Sequence, residues 1–340
     1  MNWDDIRGQA AATRLLKGAL ASGRVAHAYL FTGPRGVGKT TVARIFAAGL
    51  VCEGPDGSVR PCGRCGACDD ALAFRHPDVV RLEPDGDVIR IEQIRALKRR
   101  AGLKPSRGRR QVFLVEPAEA AGEAAQNALL KVLEEPLGPS VFVLIAHQET
   151  FLLPTVVSRC VHVRFQRLSR EAAAAILRER LGYGDAAELA AALGNGSISQ
   201  ATRFPPEDLR ERRSAAVALL ERLWASDPGA ALEEARNWYE RRDELMETLE
   251  FVQLWLRDLL ICRTRPKSAA EPGRWLINFD RAADISARAE RVSGEALFGS
   301  LSAIREVRRQ LDKNANVRHA VDVLFLELAA RGRKAAGPKE

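Results

Sequence analysis

No stretch of about eighteen consecutive apolar residues occurs in the chain, so no membrane-spanning helix is expected. The start, Met1-Asn2-Trp3-Asp4-Asp5, lacks the basic residues and apolar run of a secretory signal, which points to the cytoplasm. Aromatic residues make up only 6% of the chain and are not interleaved with basic ones, so a base-stacking platform for single strands is not indicated. Cysteine is scarce as well. Of six in all, four are crowded between residues 52 and 68, a distribution that suits a metal site in a reduced compartment better than a disulfide framework. No internal repeat is evident, and from Ser169 onward there is no convincing strand.

What is present can bury a sizeable core: 340 residues, 46% of them hydrophobic, enough for two or three domains. The net charge of +8 favours a polyanionic partner only weakly, because an Arg- and Ala-rich composition also follows from GC-rich coding. Residues 8–23 repeat apolar side chains at helical spacing (Ala12, Leu15, Leu16, Ala19, Leu20). Short continuous apolar runs at Ala28–Phe31, Val79–Leu82, Gln111–Val115 and Val141–Ile145 predict strands. Helical patterns at 40–51, 91–101 and 120–135 separate them. That alternation predicts a parallel α/β sheet covered on both faces. Beyond about residue 165 the pattern is helical. Gly194-Asn195-Gly196-Ser197 separates two helices, and Phe204-Pro205-Pro206 breaks the chain before an all-helical C-terminal region. Within that region 265–273 reads as a loop, and 333–340 as a flexible tail.

Gly33-Pro34-Arg35-Gly36-Val37-Gly38-Lys39-Thr40 lies between the first strand and a helix, the context a phosphate-binding loop requires. Backbone N–H groups there can converge on phosphate oxygens. Gly33, Gly36, Gly38, Lys39, Thr40 and Thr41 are the candidate ligands for ATP or ADP, with Lys39 on the β- and γ-phosphates and Thr40 on Mg²⁺. The strand that should serve this loop ends in Glu116-Pro117 in place of two acidic residues. Glu116 can help hold magnesium, but Pro117 can polarise no water, so nucleotide binding with little hydrolysis is expected.

Cys52, Cys62, Cys65 and Cys68 form C-x9-C-x2-C-x2-C. Cys-x2-Cys steps bring successive thiolates to one ion, and four sulfurs match closed, structural Zn²⁺. Pro55, Gly57, Pro61, Gly63 and Gly66 supply the turns. Cys160 and Cys262, among apolar neighbours, read as core thiols.

Four ordered segments resemble the bacterial sliding-clamp loaders, a branch of the AAA+ ATPases. They are His27–Phe31 before the loop, the four-cysteine insert, Asn127-Ala128-Leu129-Leu130-Lys131-Val132-Leu133-Glu134-Glu135-Pro136, and Ser158-Arg159-Cys160. The resemblance is dense over residues 3–165 and fainter beyond. It implies a RecA-like AAA+ domain (1–165, with the zinc knuckle at 52–68), a helical lid (166–205) and a helical collar (206–332). It also implies that Arg159 acts in trans as an arginine finger in a neighbour's ATP site. Two branches of the family share the knuckle and the Ser-Arg-Cys triplet, the gamma/tau ATPase and delta-prime. Here the sequence departs from the ATPase pattern at Glu116-Pro117, at Ala146-His147 and at Ser199, while His76-Pro77-Asp78 resembles delta-prime. The resemblance therefore implies a stationary subunit of the DNA polymerase III holoenzyme without appreciable ATPase of its own. Its implied partners are gamma/tau and delta subunits, the sliding clamp through the assembled loader, and primed DNA. An active gamma/tau-like ATPase and a DNA-binding scaffold are the alternatives.

Other residues keep two readings each. Arg159 also fits a buried structural arginine paired with a core carboxylate. Lys131, Glu134 and Glu135 fit a solvated helix face or a subunit contact. The basic runs Arg95, Lys98, Arg99, Arg100 and Lys104, Arg107, Arg109, Arg110 fit a phosphate-tracking stripe or an ordinary basic surface. Trp3 fits a lid over an adenine or a hydrophobic anchor. His147 reads as a local hydrogen-bonding residue, and Trp224, Trp238, Trp255 and Trp275 as packing in the helical region.

Overall fold

The computed structural model describes residues 1–55, 59–135, 138–264, 275–313 and 315–335. Gly57, Pro136, the loop at 265–273 and the end of the tail lie outside them. By internal contacts the chain divides into two units, residues 1–181 with 194–203, and residues 182–193 with 204 onward.

The first unit holds five strands, β1 (Ala28–Thr32), β2 (Val79–Leu82), β3 (Gln111–Val115), β4 (Ser140–Ala146) and β5 (Val161–Arg164). All pairings are parallel, in the order β2-β3-β4-β1-β5. The expected parallel α/β sheet is thus present. Its fifth strand was not legible in sequence: Val161-His162-Val163-Arg164 is short, lies at an edge, and buries only Val163 fully. The central strands read as continuous apolar runs because both faces are covered. Tyr29, Phe31, Val112, Leu114, Val141, Val143 and Ile145 face one core. Ala28, Leu30, Phe113, Val115, Phe142, Leu144 and Ala146 alternate with them and face the other. α1 (Ala10–Ser22), α2 (Lys39–Val51) and α3 (Gly66–Leu72) contribute to the first core, where the Tyr29 and Phe46 rings meet edge to face at 5.0 Å. α4 (Ile91–Ala101), α5 (Glu123–Glu134) and α6 (Pro154–Val157) cover the second, built around stacked Phe113 and Phe142. α7 (Arg170–Leu181) and α9 (Ile198–Ala201) complete the unit.

β1 lies between β4 and β5, so the chain crosses from one side of the sheet to the other beside it. In such sheets ligands bind outside the C-terminal ends of the strands at that switch point, which is where the glycine loop emerges.

The second unit is helical: α8 (Ala187–Leu193), α10 (Leu209–Ala225), α11 (Pro228–Arg236), α12 (Arg242–Thr264), α13 (Ala282–Ala289), α14 (Gly294–Asp312) and α15 (Val317–Ala335). Trp255 and Trp238 are buried in it as expected, whereas Trp275 is 48% exposed. A polar network that periodicity could not announce lies in this unit. Fully buried Asp258 accepts the N–H of Ile277 and both the backbone and side-chain N–H of Asn278, and buried Arg213 forms a bidentate pair with Asp280 at 2.7 and 2.6 Å. Burial alone would raise the Asp280 carboxyl, but the Arg213 guanidinium outweighs it and holds it below its ordinary value.

Candidate functional site

Gly36, Gly38, Lys39, Thr40 and Thr41 line a cavity of about 360 Å³ at the end of β1. Gly33 adopts a φ of 143°, and a Cβ there would collide with the Phe165 carbonyl oxygen. Gly36, at a φ of 69°, leaves no room for a Cβ against the hydroxyls of Ser197 and Ser199. Glycine is therefore required twice, once for each strand-side and helix-side neighbour of the loop. Ile198 donates its N–H to the Gly36 carbonyl and Ser197 its hydroxyl to the Arg35 carbonyl, both at 2.8 Å, so the start of α9 is bonded onto the loop. Ser199 lies directly against Gly36 at the cavity wall.

Lys39 is buried. Its ammonium donates to the loop's own carbonyls, Gly33 at 2.6 Å and Pro34 at 2.7 Å, and lies 3.2 Å from Nδ1 of His147. Burial pushes the Lys39 ammonium down to about 8, with Glu119 and Glu116 drawing it part of the way back. Burial and the Lys39 charge hold the His147 imidazole below its ordinary value, so it faces the ammonium as a neutral acceptor. Thr40 donates its hydroxyl to Glu116, whose second oxygen pairs with Arg81 at 3.1 Å. Hydroxyl and carboxylate thus stand together where a magnesium ion on a bound nucleotide would need them.

Two features of this cavity escaped the sequence reading. Glu119, on the turn after Pro117, accepts the backbone N–H of His147 at 2.9 Å and places a second carboxylate near Lys39. Asp5, Ile6, Arg7 and Arg180 form the far wall, with Arg180 paired to Asp5 at 2.7 Å. Trp3 does not line the cavity. It is buried in the core beside α2 and donates its indole N–H to the Arg60 carbonyl at 2.8 Å, so of its two readings the structure takes the anchor, gripping the base of the cysteine insert. No composition signal distinguishes these outcomes, because each depends on which way a turn aims one side chain.

The four sulfurs of Cys52, Cys62, Cys65 and Cys68 all lie within 4.8 Å of one another, and those of Cys62 and Cys68 are 4.0 Å apart. Tetrahedral zinc–thiolate bonds of about 2.3 Å separate neighbouring sulfurs by about 3.8 Å, so little contraction is needed. Backbone N–H groups of Gly54 and Cys62 point at the Cys52 sulfur, and that of Cys68 at Cys65. The backbone N–H of Arg64, above all, lowers the Cys62 thiol to about 6, whereas burial pushes the Cys68 thiol up. The donor set fits a divalent, thiophilic ion. Cys160 is buried and its thiol raised to about 12, an inert core group, while Cys262 is only half-buried.

His76 and Asp78 explain the segment after the knuckle. Buried Asp78 accepts the N–H groups of Ser106, Arg107 and Gly108 at 2.6, 2.7 and 2.6 Å, and its own N–H is bonded to Nδ1 of His76. Arg107 then reaches Glu53 at 2.8 Å and Asp70 at 3.1 Å. One of the basic residues singled out above therefore ties its loop to the knuckle, and Arg100 bonds the Pro77 carbonyl. Arg95 and Arg99 are exposed on α4.

Arg159 lies just past the end of α6 and does not line the cavity described above. Its side chain is 36% exposed. Nη1 donates to the Thr155 carbonyl at 3.0 Å and to the Ser158 hydroxyl at 3.4 Å, and Nη2 is 2.7 Å from a Glu134 carboxylate oxygen.

The family described as DNA polymerase III, delta subunit, matches residues 8–169, and that described as DNA polymerase III, delta subunit, C terminal, matches residues 207–323. Over 202 residues the chain is 41% identical to the DNA polymerase III subunit delta' of Pseudomonas aeruginosa, covering 58% of this chain and 61% of that protein. It is 27% identical over 332 residues to the delta' subunit of Bacillus subtilis, covering 96% and 98%. It is 40% identical over 177 residues to the gamma/tau subunit of Mycobacterium tuberculosis, covering 51% of this chain and 30% of that protein. Among solved structures it is similar to a gamma subunit-related protein of Thermotoga maritima, at 19% identity and a TM-score of 0.43, covering 94% and 99%. The sheet half and the helical half are thus each matched by a delta-subunit family, and the chain belongs to the delta' subunits of DNA polymerase III.

Proposed function

We propose that this chain works as a stationary subunit of the clamp loader and that Arg159 completes the ATP site of an adjoining gamma/tau subunit. The observation that carries the reading is the position of Arg159: its guanidinium is solvent-facing and outside the chain's own nucleotide cavity. A planar, permanently charged fork suits a γ-phosphate in a way that lysine cannot reproduce. Fingers of this kind are worth roughly 10³–10⁵ in rate in other phosphoryl-transfer systems. The base that activates water belongs to the neighbour. In this reading residues 1–165 are the AAA+ domain, 166–205 the lid, and 206–332 the collar that packs in a ring. Gamma/tau and delta subunits are its partners in the cytoplasm, and the assembled loader handles the sliding clamp and primed DNA.

The chain's own loop holds ATP or ADP with Mg²⁺ through Gly33, Gly36, Gly38, Lys39, Thr40 and Thr41 without turning it over at a working rate. Lys39 would exchange its loop carbonyls for phosphate oxygens, and Glu116 would share the magnesium with Thr40. Cys52, Cys62, Cys65 and Cys68 hold a structural Zn²⁺ that cross-links the insert and leaves no position open for chemistry.

Arg159→Ala, and largely Arg159→Lys, is expected to leave folding, metal content and this chain's nucleotide affinity unchanged. Both should lower the DNA- and clamp-stimulated ATPase of the reconstituted loader. The loss should be partial, since other subunits supply the remaining fingers. A mutant that assembles normally and loads clamps at the wild-type rate would make Arg159 structural and end this reading.

A further inference from the structure

We propose that Glu134 is a positioning residue for Arg159, fixing the guanidinium in the pose from which it reaches a neighbouring nucleotide. The inference rests on the finger reading above. Glu134 is the last residue of α5, and Arg159 follows α6, so the cation sits by the C-terminal ends of two helices, where their dipoles favour positive charge. The ion pair joins two partly exposed side chains, an arrangement that adds little to stability. Its effect is therefore on orientation.

The helix that carries that carboxylate is tied to the chain entering α6 at its other end. Gln126, buried on the same helix, donates to the carbonyls of Ala121 at 2.8 Å and Phe151 at 3.1 Å and accepts the N–H of Leu153 at 2.7 Å. One end of α5 thus grips the chain that enters α6, while its other end holds the arginine that leaves it. Thr155 and Ser158 take Nη1 and Glu134 takes Nη2, three contacts against the five N–H groups of a guanidinium. The remaining N–H groups have no partner among the described residues and can meet an anion without displacing Glu134. Removing the carboxylate frees the side chain to sample other rotamers, and misplacement of a charged group by about 1 Å is costly to rate.

The test is a double-mutant cycle in the reconstituted loader, with stimulated ATPase as readout. Glu134→Ala should lower kcat about threefold with KM for ATP unchanged, and Glu134→Gln, which keeps an oxygen acceptor, should lower it less. In an Arg159→Ala background neither change should have a further effect. If Arg159→Ala lowers the rate and Glu134→Ala does not, the positioning role is wrong and the finger stands. If Glu134→Ala lowers the rate equally in both backgrounds, Glu134 acts independently of Arg159 and the inference falls. If Arg159→Ala itself has no effect, the finger reading fails and this inference fails with it. Thermal unfolding of each variant should match the wild type, and a variant with a lowered midpoint and a proportionate loss of rate would overturn the proposal in favour of a structural role.

Discussion

Lys39 is the residue on which nucleotide binding should depend most sharply with pH. In the protein without nucleotide its ammonium titrates near pH 8, because burial disfavours the charge more than Glu119 and Glu116 restore it. A bound phosphate stabilises the charged form and raises that value, so above about pH 8 binding must take up a proton. Affinity for ADP is therefore expected to fall as pH rises beyond about 8, by up to tenfold per pH unit. Calorimetric titrations at pH about 7 and about 9 would measure it, and Lys39→Met should bind weakly with no such slope. A flat profile for the wild type would mean that Lys39 keeps its carbonyl partners when nucleotide binds. Lys39 and Thr40 were legible because a phosphate loop dictates residue types at fixed spacing. Glu119 was not, since its relevance comes only from the turn after Pro117 that swings its carboxylate to the His147 N–H.

Between β1 and β3, the insert and the loop that follows α4 behave as one element. Zinc removal is expected to loosen residues 52–68 while the five-stranded sheet stays folded, because both sheet cores are built by residues outside the four ligands and Trp3 anchors the insert from the core side. Elemental analysis should find one zinc per chain. Hydrogen exchange after chelation should quicken around Cys52–Cys68 and spare β3 and β4; protein that purifies metal-free with protected insert amides would refute the site. Asp78 supplies a separate check on the neighbouring loop. Its Ala variant leaves three N–H groups of residues 106–108 unpaired, a cost of about 2–4 kcal/mol readable by denaturant titration. Burial alone would raise the Asp78 carboxyl, but those three donors outweigh it and hold it below its ordinary value. A depressed carboxyl contributes stability above about pH 4 that is lost as pH falls through the folded-state value. Wild-type stability should accordingly drop in that acid range more steeply than that of Asp78→Ala. Cysteine spacing announced the knuckle. Nothing in the spacing announced that Arg107, read as one of a basic run, would be spent on Glu53 and Asp70.

For the whole chain, the expected outcome is nucleotide binding with turnover below about 1 s⁻¹, the low end of working enzymes. A coupled phosphate-release assay on the isolated protein tests this, and faster hydrolysis would move the chain to the gamma/tau-like alternative. Periodicity, the glycine loop and the cysteine spacing were enough, from sequence alone, for the parallel α/β architecture, the helical remainder, a glycine loop at the end of β1 and a gathering of four thiols. Each of these follows from local constraints: a strand buried on both faces must be apolar throughout, a phosphate loop needs glycine, and one ion needs four close thiols. Only the tertiary structure decided what side chains from distant segments do to one another. It made Trp3 an anchor, added Val161–Arg164 as an edge strand, buried Asp258 with Asn278, and set Glu134 against Arg159. Such pairings join residues from 20 to 132 positions apart and are chosen by the packing of whole elements, so no periodic or compositional signal along the chain encodes them.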